Sequence, residues 1–119
     1  ELAKHEGQYC SVTILSEKQG ITTKYLEKIL SILCKSKMIE SSRGSNGGYR
    51  LCKDAGSYTI AEILQACDDL PKLAPCQEGK NICPRIQECD SVALWDKLNF
   101  MITNYLSSIT LKDVLNKKI

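Results

Sequence analysis

The sequence predicts a mainly helical protein with one small β-hairpin, arranged as a winged helix-turn-helix followed by a long C-terminal dimerisation helix. Three observations predict this fold. Two helical segments meet at a tight turn at 20–22, a glycine-rich tip at 43–48 separates two strand-like runs, and apolar residues recur at helical spacing over 92–109. The chain has 119 residues, which is the length of one domain.

The composition favours a globular intracellular protein. Hydrophobic residues make up 43% and charged residues 25% of the chain. No apolar run approaches the roughly 18 residues of a membrane span, and the first residues do not resemble a secretory signal. Seven cysteines, an odd number without an export signal, favour reduced thiols in the cytoplasm. Residues 1–7 are interpreted as the last turns of a helix that ends at Gly7 and begins upstream.

Capping signals place the first helices. Ser11 is expected to cap a helix over about 12–18, with Gly20 just past its end. Thr22 is expected to cap a second helix over about 23–36, with one apolar stripe of Leu26, Ile29, Leu30 and Leu33.

The wing follows as strands at 38–42 and 49–52. A capping box at 59–62 then opens a helix that runs to about residue 67. The segments divide the chain into a winged helix-turn-helix at 1–67, a cysteine-containing loop at 68–91, and the dimerisation helix with a short final helix at 92–119.

The long helix carries an apolar stripe that one small domain has difficulty covering. We expect it to pair with its copy in a twofold dimer, although an internal core helix remains an alternative. The predicted interface consists of Leu94, Leu98, Met101, Ile102, Tyr105, Leu106 and Ile109.

The front of the second helix and the wing form a candidate DNA surface. Residues 1–58 have a net charge of +3, whereas residues 59–119 have −1. An arginine on a narrow tip, such as Arg43, can enter the minor groove of A·T-rich DNA. Gly44 and Arg50 border that tip. The polar residues expected to face the major groove are Thr22, Thr23, Lys24, Glu27 and Lys28. A solvated helix face and a protein-binding winged helix remain alternatives.

Cys76, Cys83 and Cys89 form a second candidate site. Their gaps of six and five residues fit zinc poorly, whereas three thiolates on a bent loop can hold an iron–sulfur cluster. A redox-active thiol pair and incidental cysteines remain alternatives. The other four cysteines are expected in the core: Cys10, Cys34, Cys52 and Cys67. Tyr25 and Tyr49 are expected to pack against the helix and the wing, and His5 is expected to be solvated.

Several motifs together resemble the Rrf2 family of bacterial transcription regulators over almost the whole chain. They are the three cysteines, Gly20-Ile21-Thr22, Tyr25-Leu26-Glu27, Arg43-Gly44-x-x-Gly47-Gly48-Tyr49-Arg50-Leu51, Leu94-Trp95 and Ile109-Thr110-Leu111. The resemblance implies a homodimer that reads a palindromic DNA operator. By position, Thr22, Thr23, Tyr25 and Glu27 match the family's recognition helix, and Arg43 matches its minor-groove arginine.

The resemblance also implies that Cys76, Cys83 and Cys89 are cluster ligands. The family's iron–sulfur-biogenesis regulators have a histidine three residues after the last cysteine, where this chain has Val92. The first gap of six fits the nitric-oxide-sensing members, whose fourth ligand can be a carboxylate of the partner subunit's amino-terminal helix. The fourth ligand, with Glu88 and Asp90 as candidates, and the choice between a 2Fe–2S and a 4Fe–4S cluster therefore stay open.

The resulting hypothesis is a DNA-binding regulator whose operator affinity is switched by an iron–sulfur cluster that senses cluster status, nitric oxide or redox state. Two alternatives are a cluster-free regulator that senses a thiol or small ligand, and a winged-helix protein-interaction module. An enzyme is not expected, because the chain has no phosphate loop, no nucleophile motif and a single histidine.

Overall fold

The computed structural model describes residues 1–70 and 88–119 and confirms the predicted winged helix with a long C-terminal helix. Two 3₁₀ helices accompany the regular elements, at Leu2–His5 and Ala55–Ser57. The regular elements are α1 (Val12–Gln19), α2 (Thr23–Lys35), β1 (Ile39–Ser42), β2 (Gly48–Leu51), α3 (Ile60–Ala66), α4 (Val92–Ser108) and α5 (Leu111–Leu115).

The helix ends follow the predicted caps. The Ser11 hydroxyl accepts a hydrogen bond from the backbone N–H of Ile14 at 3.3 Å, and the Thr22 hydroxyl accepts one from Tyr25 at 3.4 Å. Gly20 ends α1 with a φ of 64°, in the left-handed region where glycine has no steric penalty. These caps fix the two helices and the tight turn between them.

The two antiparallel strands pack on the segment before α1. The backbones of Cys10 and Tyr49 exchange two hydrogen bonds of 2.8 Å each, so the amino-terminal segment pairs with β2. The core beneath them consists of Cys10, Leu15, Leu26, Leu30 and Ile39. This packing attaches the wing to the helix-turn-helix.

A backbone bridge joins the start of α3 to the junction of α4 and α5. Thr59 and Thr110 are bridge partners, and each also caps a helix through a complete capping box. α4 packs against α3, and its half-buried residues include Trp95, Asn99 and Ile102. The bridge and this packing hold the carboxyl-terminal helices against the winged-helix unit.

Some expectations need correction. The first residues form a 3₁₀ helix rather than the end of an α-helix, although Gly7 has the positive φ expected of a stop signal. Cys52 is exposed instead of buried, because it lies just past the end of β2 and the hairpin does not cover it. Tyr25 is 57% exposed, beside a cleft that Ile29, Ile32 and Leu64 also line. Cys34 and Cys67 are half-buried.

The described residues cover only part of the predicted cysteine loop. Cys76 and Cys83 lie outside them, as does most of the irregular segment predicted at 68–91. Within residues 1–70 and 88–119, no helix is long and apolar enough to cross a membrane.

Candidate nucleic-acid interface and cysteine site

The predicted recognition surface is the exposed face of α2. Leu26 and Leu30 are buried and anchor the helix to the core. The polar residues predicted to face DNA lie on the opposite side, and all are exposed: Thr22, Thr23, Lys24, Glu27 and Lys28. The helix is about 20 Å long at 1.5 Å per residue. A polar helix held from behind by a core is suited to the major groove.

The wing presents one of its two arginines at the tip. Arg43 is exposed, and it forms no ion pair with the described residues. The tip closes with a hydrogen bond from the backbone N–H of Gly47 to the carbonyl of Gly44 at 3.0 Å. Gly44 has a φ of 111°, a conformation that an L side chain rarely adopts. Arg43 is therefore held on a narrow turn with its guanidinium available.

Arg50 has a different environment from Arg43. Its Nε donates a hydrogen bond to the Glu40 carboxylate across the hairpin, and its guanidinium carbon lies 4.4 Å from the centre of the Tyr9 ring. The hydrogen bond with Glu40 raises the pKa of Arg50 above its usual value. Arg50 connects β1, β2 and the amino-terminal segment, so it braces the base of the wing. The sequence pattern alone did not reveal this contact.

Cys89 is the predicted cluster ligand that the structure describes. It is exposed, and its Sγ lies 3.1 Å from Oγ of Ser91. Hydrogen bonds from the Ser91 side chain, and then from its backbone N–H, lower the pKa of the Cys89 thiol. A lowered pKa favours the thiolate, which is the form that binds metals. The described residues contain no group of three or more metal-binding side chains, and Cys76 and Cys83 lie outside them.

The predicted dimer stripe on α4 divides into two parts. Leu94, Leu98, Met101 and Tyr105 are exposed, with 60% of Leu94 and 56% of Met101 accessible. Ile102, Leu106 and Ile109 are half-buried within the subunit. Phe100 is 65% exposed and was missed by the prediction, because it lies away from the single line of residues at helical spacing.

The fold, with an exposed polar face on α2 and an arginine at the tip of the hairpin, is that of a winged helix-turn-helix protein. The sequence model of the Rrf2 family, described as an iron-dependent transcriptional regulator, matches residues 1–117. The chain belongs to the Rrf2 family.

The curated relatives support this assignment. The HTH-type transcriptional regulators IscR of Enterobacter sp. (strain 638) and of Klebsiella pneumoniae are each 40% identical over 104 residues. The match covers 87% of this chain and 63% of each relative, so the chain spans less than two thirds of their length. These relatives are named as regulators and not as enzymes.

Solved structures share the fold. T. potens IscR superposes with a TM-score of 0.73 at 28% identity, over 99% of this chain and 77% of that one. CymR, the global cysteine regulator of B. subtilis, superposes with a TM-score of 0.76 at 24% identity, over 98% and 85% of the two chains. The likeness to CymR shows the fold alone.

Proposed function

We propose that this chain binds a palindromic DNA operator as a homodimer in the cytoplasm, and that an iron–sulfur cluster held by Cys76, Cys83 and Cys89 switches its operator affinity. The observation that carries the DNA-binding part is the combination of an exposed polar face on α2 with Arg43 at the wing tip, which forms no ion pair within residues 1–70 and 88–119. Family membership supports the same function.

Each element has a separate task on the operator. The residues at the front of α2 read base edges in the major groove, and Arg43 enters the adjacent minor groove, where A·T-rich sequence makes the potential most negative. Arg50 holds the wing in place through Glu40 and Tyr9 rather than contacting bases. Lys24 and Lys28 supply cations for the phosphate backbone.

A dimer is supported by the exposed apolar face of α4. This helix is about 26 Å long at 1.5 Å per residue, and it presents Leu94, Met101 and Tyr105 to solvent in the single subunit. Exposed apolar patches of this kind mark interaction surfaces. Pairing the face with its twofold copy removes it from water and brings two copies of the recognition helix into one molecule.

Operator binding is tested with a duplex selected from random sequence. Arg43→Ala should weaken binding, and the loss should be greatest where the minor groove is A·T-rich. Lys117→Ala removes an exposed cation far along the chain and serves as the control. If Arg43→Ala lowers the affinity equally for every DNA sequence, Arg43 contacts a phosphate and not the minor groove. Binding that does not fall with added salt would contradict DNA binding itself and favour a protein-interaction module.

The cysteines fit an iron–sulfur cluster in their chemistry. Three thiolates are the ligands that iron in such clusters takes, and Cys89 has the exposed, thiolate-favouring environment of a ligand. When bound, the cluster would supply a redox-active and nitric-oxide-reactive group that crosslinks the loop. Cys89 lies three residues before α4, so fixing its position also fixes the start of the helix proposed to form the dimer.

The cofactor is tested by anaerobic purification, absorption spectroscopy and analysis of iron, sulfide and zinc. Two or four irons per chain would support the proposal and choose the cluster type. Cys83→Ala should abolish the visible absorption, whereas Cys52→Ala, which removes an exposed cysteine outside the site, should retain it. A Cys83→Ala protein that keeps its cluster would refute the ligand assignment.

A cluster-free thiol regulator is the second candidate. The exposure of both Cys52 and Cys89 favours it, because two accessible thiols can be oxidised reversibly. In that case the protein purified without oxygen would be colourless and free of iron, even after reconstitution. One cysteine would be alkylated faster than the others, and its oxidation would change DNA affinity.

A further inference from the structure

A cavity lies at the end of α2 that is remote from the recognition surface. It has a volume of about 380 Å³ and is bounded by the end of α2, the segment after β2, and α3. Its polar lining residues are Ser36, Lys37, Lys53, Tyr58, Glu62 and Gln65. The length of α2, about 20 Å, separates it from the residues proposed to contact bases. Its volume lies in the range of small-molecule sites, about 300–1,000 Å³.

Two lysines line the cavity, Lys37 and Lys53, and Nζ of Lys53 lies 5.9 Å from the centre of the Tyr58 ring. Lys37 and Lys53 form no ion pair with the described residues. The single carboxylate in the lining, that of Glu62, accepts a hydrogen bond of 3.1 Å from the backbone N–H of Thr59 as part of a helix cap. The cap therefore fixes the position of the Glu62 carboxylate. The lining has two ammonium groups and one carboxylate, so its formal charge is positive.

The remaining polar groups are neutral, and two of them are available donors. The Tyr58 hydroxyl donates to the carbonyl of Met38 at 2.6 Å and accepts from the backbone N–H of Lys53 at 3.0 Å. Burial raises the pKa of Tyr58, so its hydroxyl stays neutral. The side chains of Ser36 and Gln65 form no hydrogen bond with the described residues and can donate to a ligand.

The backbone of Lys37 is held in a defined position. Its N–H donates to the carbonyl of Cys34, and the next N–H, that of Met38, donates to Leu33, both at 3.0 Å. This is a Schellman motif, and it places Lys37 at a φ of 59°, where glycine or asparagine is usual. Lys117 has the same motif and a φ of 55° at the end of α5, but it does not line the cavity.

We propose that this cavity binds a small dianion, a phosphate or a dicarboxylate, between the ammonium groups of Lys37 and Lys53. Lysine binds such oxyanions as a point charge, and hydroxyl and amide donors complete the contacts. The lining combines the residues just after α2 with residues of α3, so a bound dianion would connect the end of the recognition helix to the helix that packs on α4. Binding of the dianion at this site requires neither an iron–sulfur cluster nor DNA.

The test is isothermal titration calorimetry at low ionic strength with inorganic phosphate and, separately, with succinate. We expect at least one of them to bind. Lys37→Gly should weaken binding about tenfold, which is the loss of about one charged contact. Glycine adopts the backbone conformation of this position without strain, so the variant keeps the fold. Lys53→Gln should have a similar effect, whereas Lys117→Gly should leave binding unchanged.

The two ligands distinguish the source of the dianion. Binding of phosphate alone assigns a phosphate-bearing ligand, and binding of succinate assigns a dicarboxylate. Absence of binding by either would refute the proposal, as would an equal loss in Lys117→Gly, which would indicate non-specific charge attraction. If Lys37→Gly loses DNA affinity and the protein binds neither anion, the two lysines contact the DNA backbone instead.

Discussion

Replacement of Gly48 by alanine tests whether the wing is fixed to the amino-terminal segment. A Cβ at this position would lie 2.2 Å from the backbone oxygen of Cys10, and the φ of Gly48 is 144°. The backbones of Gly48 and Cys10 cannot move apart unless the bridge between Cys10 and Tyr49 opens. Gly44 is the matched control, because it also has a positive φ, 111°, but a Cβ there meets no atom within 4 Å.

The two substitutions share one energetic cost and differ in a second. A positive φ in a non-glycine residue costs about 1–3 kcal/mol, and both variants incur it. Opening the bridge removes two backbone hydrogen bonds of 2.8 Å, each with a net value of about 1 kcal/mol. Gly48→Ala should therefore be less stable than Gly44→Ala by about 2 kcal/mol.

Urea unfolding at one fixed protein concentration measures this difference, since the stability of a dimer depends on concentration. Both variants should unfold with a similar dependence on urea, so that the midpoints report stability. If the two free energies of unfolding agree within about 0.5 kcal/mol, the wing does not rest on the Cys10 backbone as described.

Three further predictions concern the core, the dimer and a helix cap. Tyr58 is 3% exposed, and Tyr58→Phe removes both hydrogen bonds of its hydroxyl. Urea unfolding should show that the free energy of unfolding falls by about 2 kcal/mol, whereas Tyr25→Phe should leave it unchanged. Met101→Asp should give a monomer in size-exclusion chromatography with light scattering, while Ser107→Asp on another face of α4 should not; a persistent Met101→Asp dimer would place the interface elsewhere. The backbone N–H and then the hydroxyl of the capping threonine lower the pKa of Asp113, so its charge stabilises the fold above the usual pKa of 3.8, and this contribution disappears as the pH falls through the lowered value. Asp113→Asn should therefore be less stable than wild type at neutral pH and equally stable in strong acid, and a difference independent of pH would contradict this.

The helix boundaries could be predicted because their signals are local. Ser11, Thr22 and Thr59 all cap helices as the sequence indicates, since a hydroxyl at that position needs only a backbone N–H two or three residues away. The same applies to Gly20, whose left-handed conformation is a property of one residue. Such signals do not depend on how distant segments pack.

The errors concern distant packing. Cys52 and Tyr25 were expected in contact with other residues, yet both are exposed, because which face of an element is covered depends on its tertiary neighbours. The contacts of Arg50 were also not predicted, because they too depend on distant packing. Its partner Tyr9 is 41 positions away in the chain, and no local pattern relates them. To predict that Arg50 pairs with Glu40, one would need to know the register of the hairpin.

The bridge between Thr59 and Thr110 attaches the carboxyl-terminal helices to the start of α3. Each threonine caps its own helix, so the bridge cannot shift without disturbing both caps. Tyr58 precedes the bridge and holds the base of the hairpin through the carbonyl of Met38. Coupling between two sites can be carried by packed side chains, hydrogen bonds and rigid elements that connect them. A movement that begins at Cys89 and turns α4 has a contiguous route to the base of the hairpin through this bridge and Tyr58.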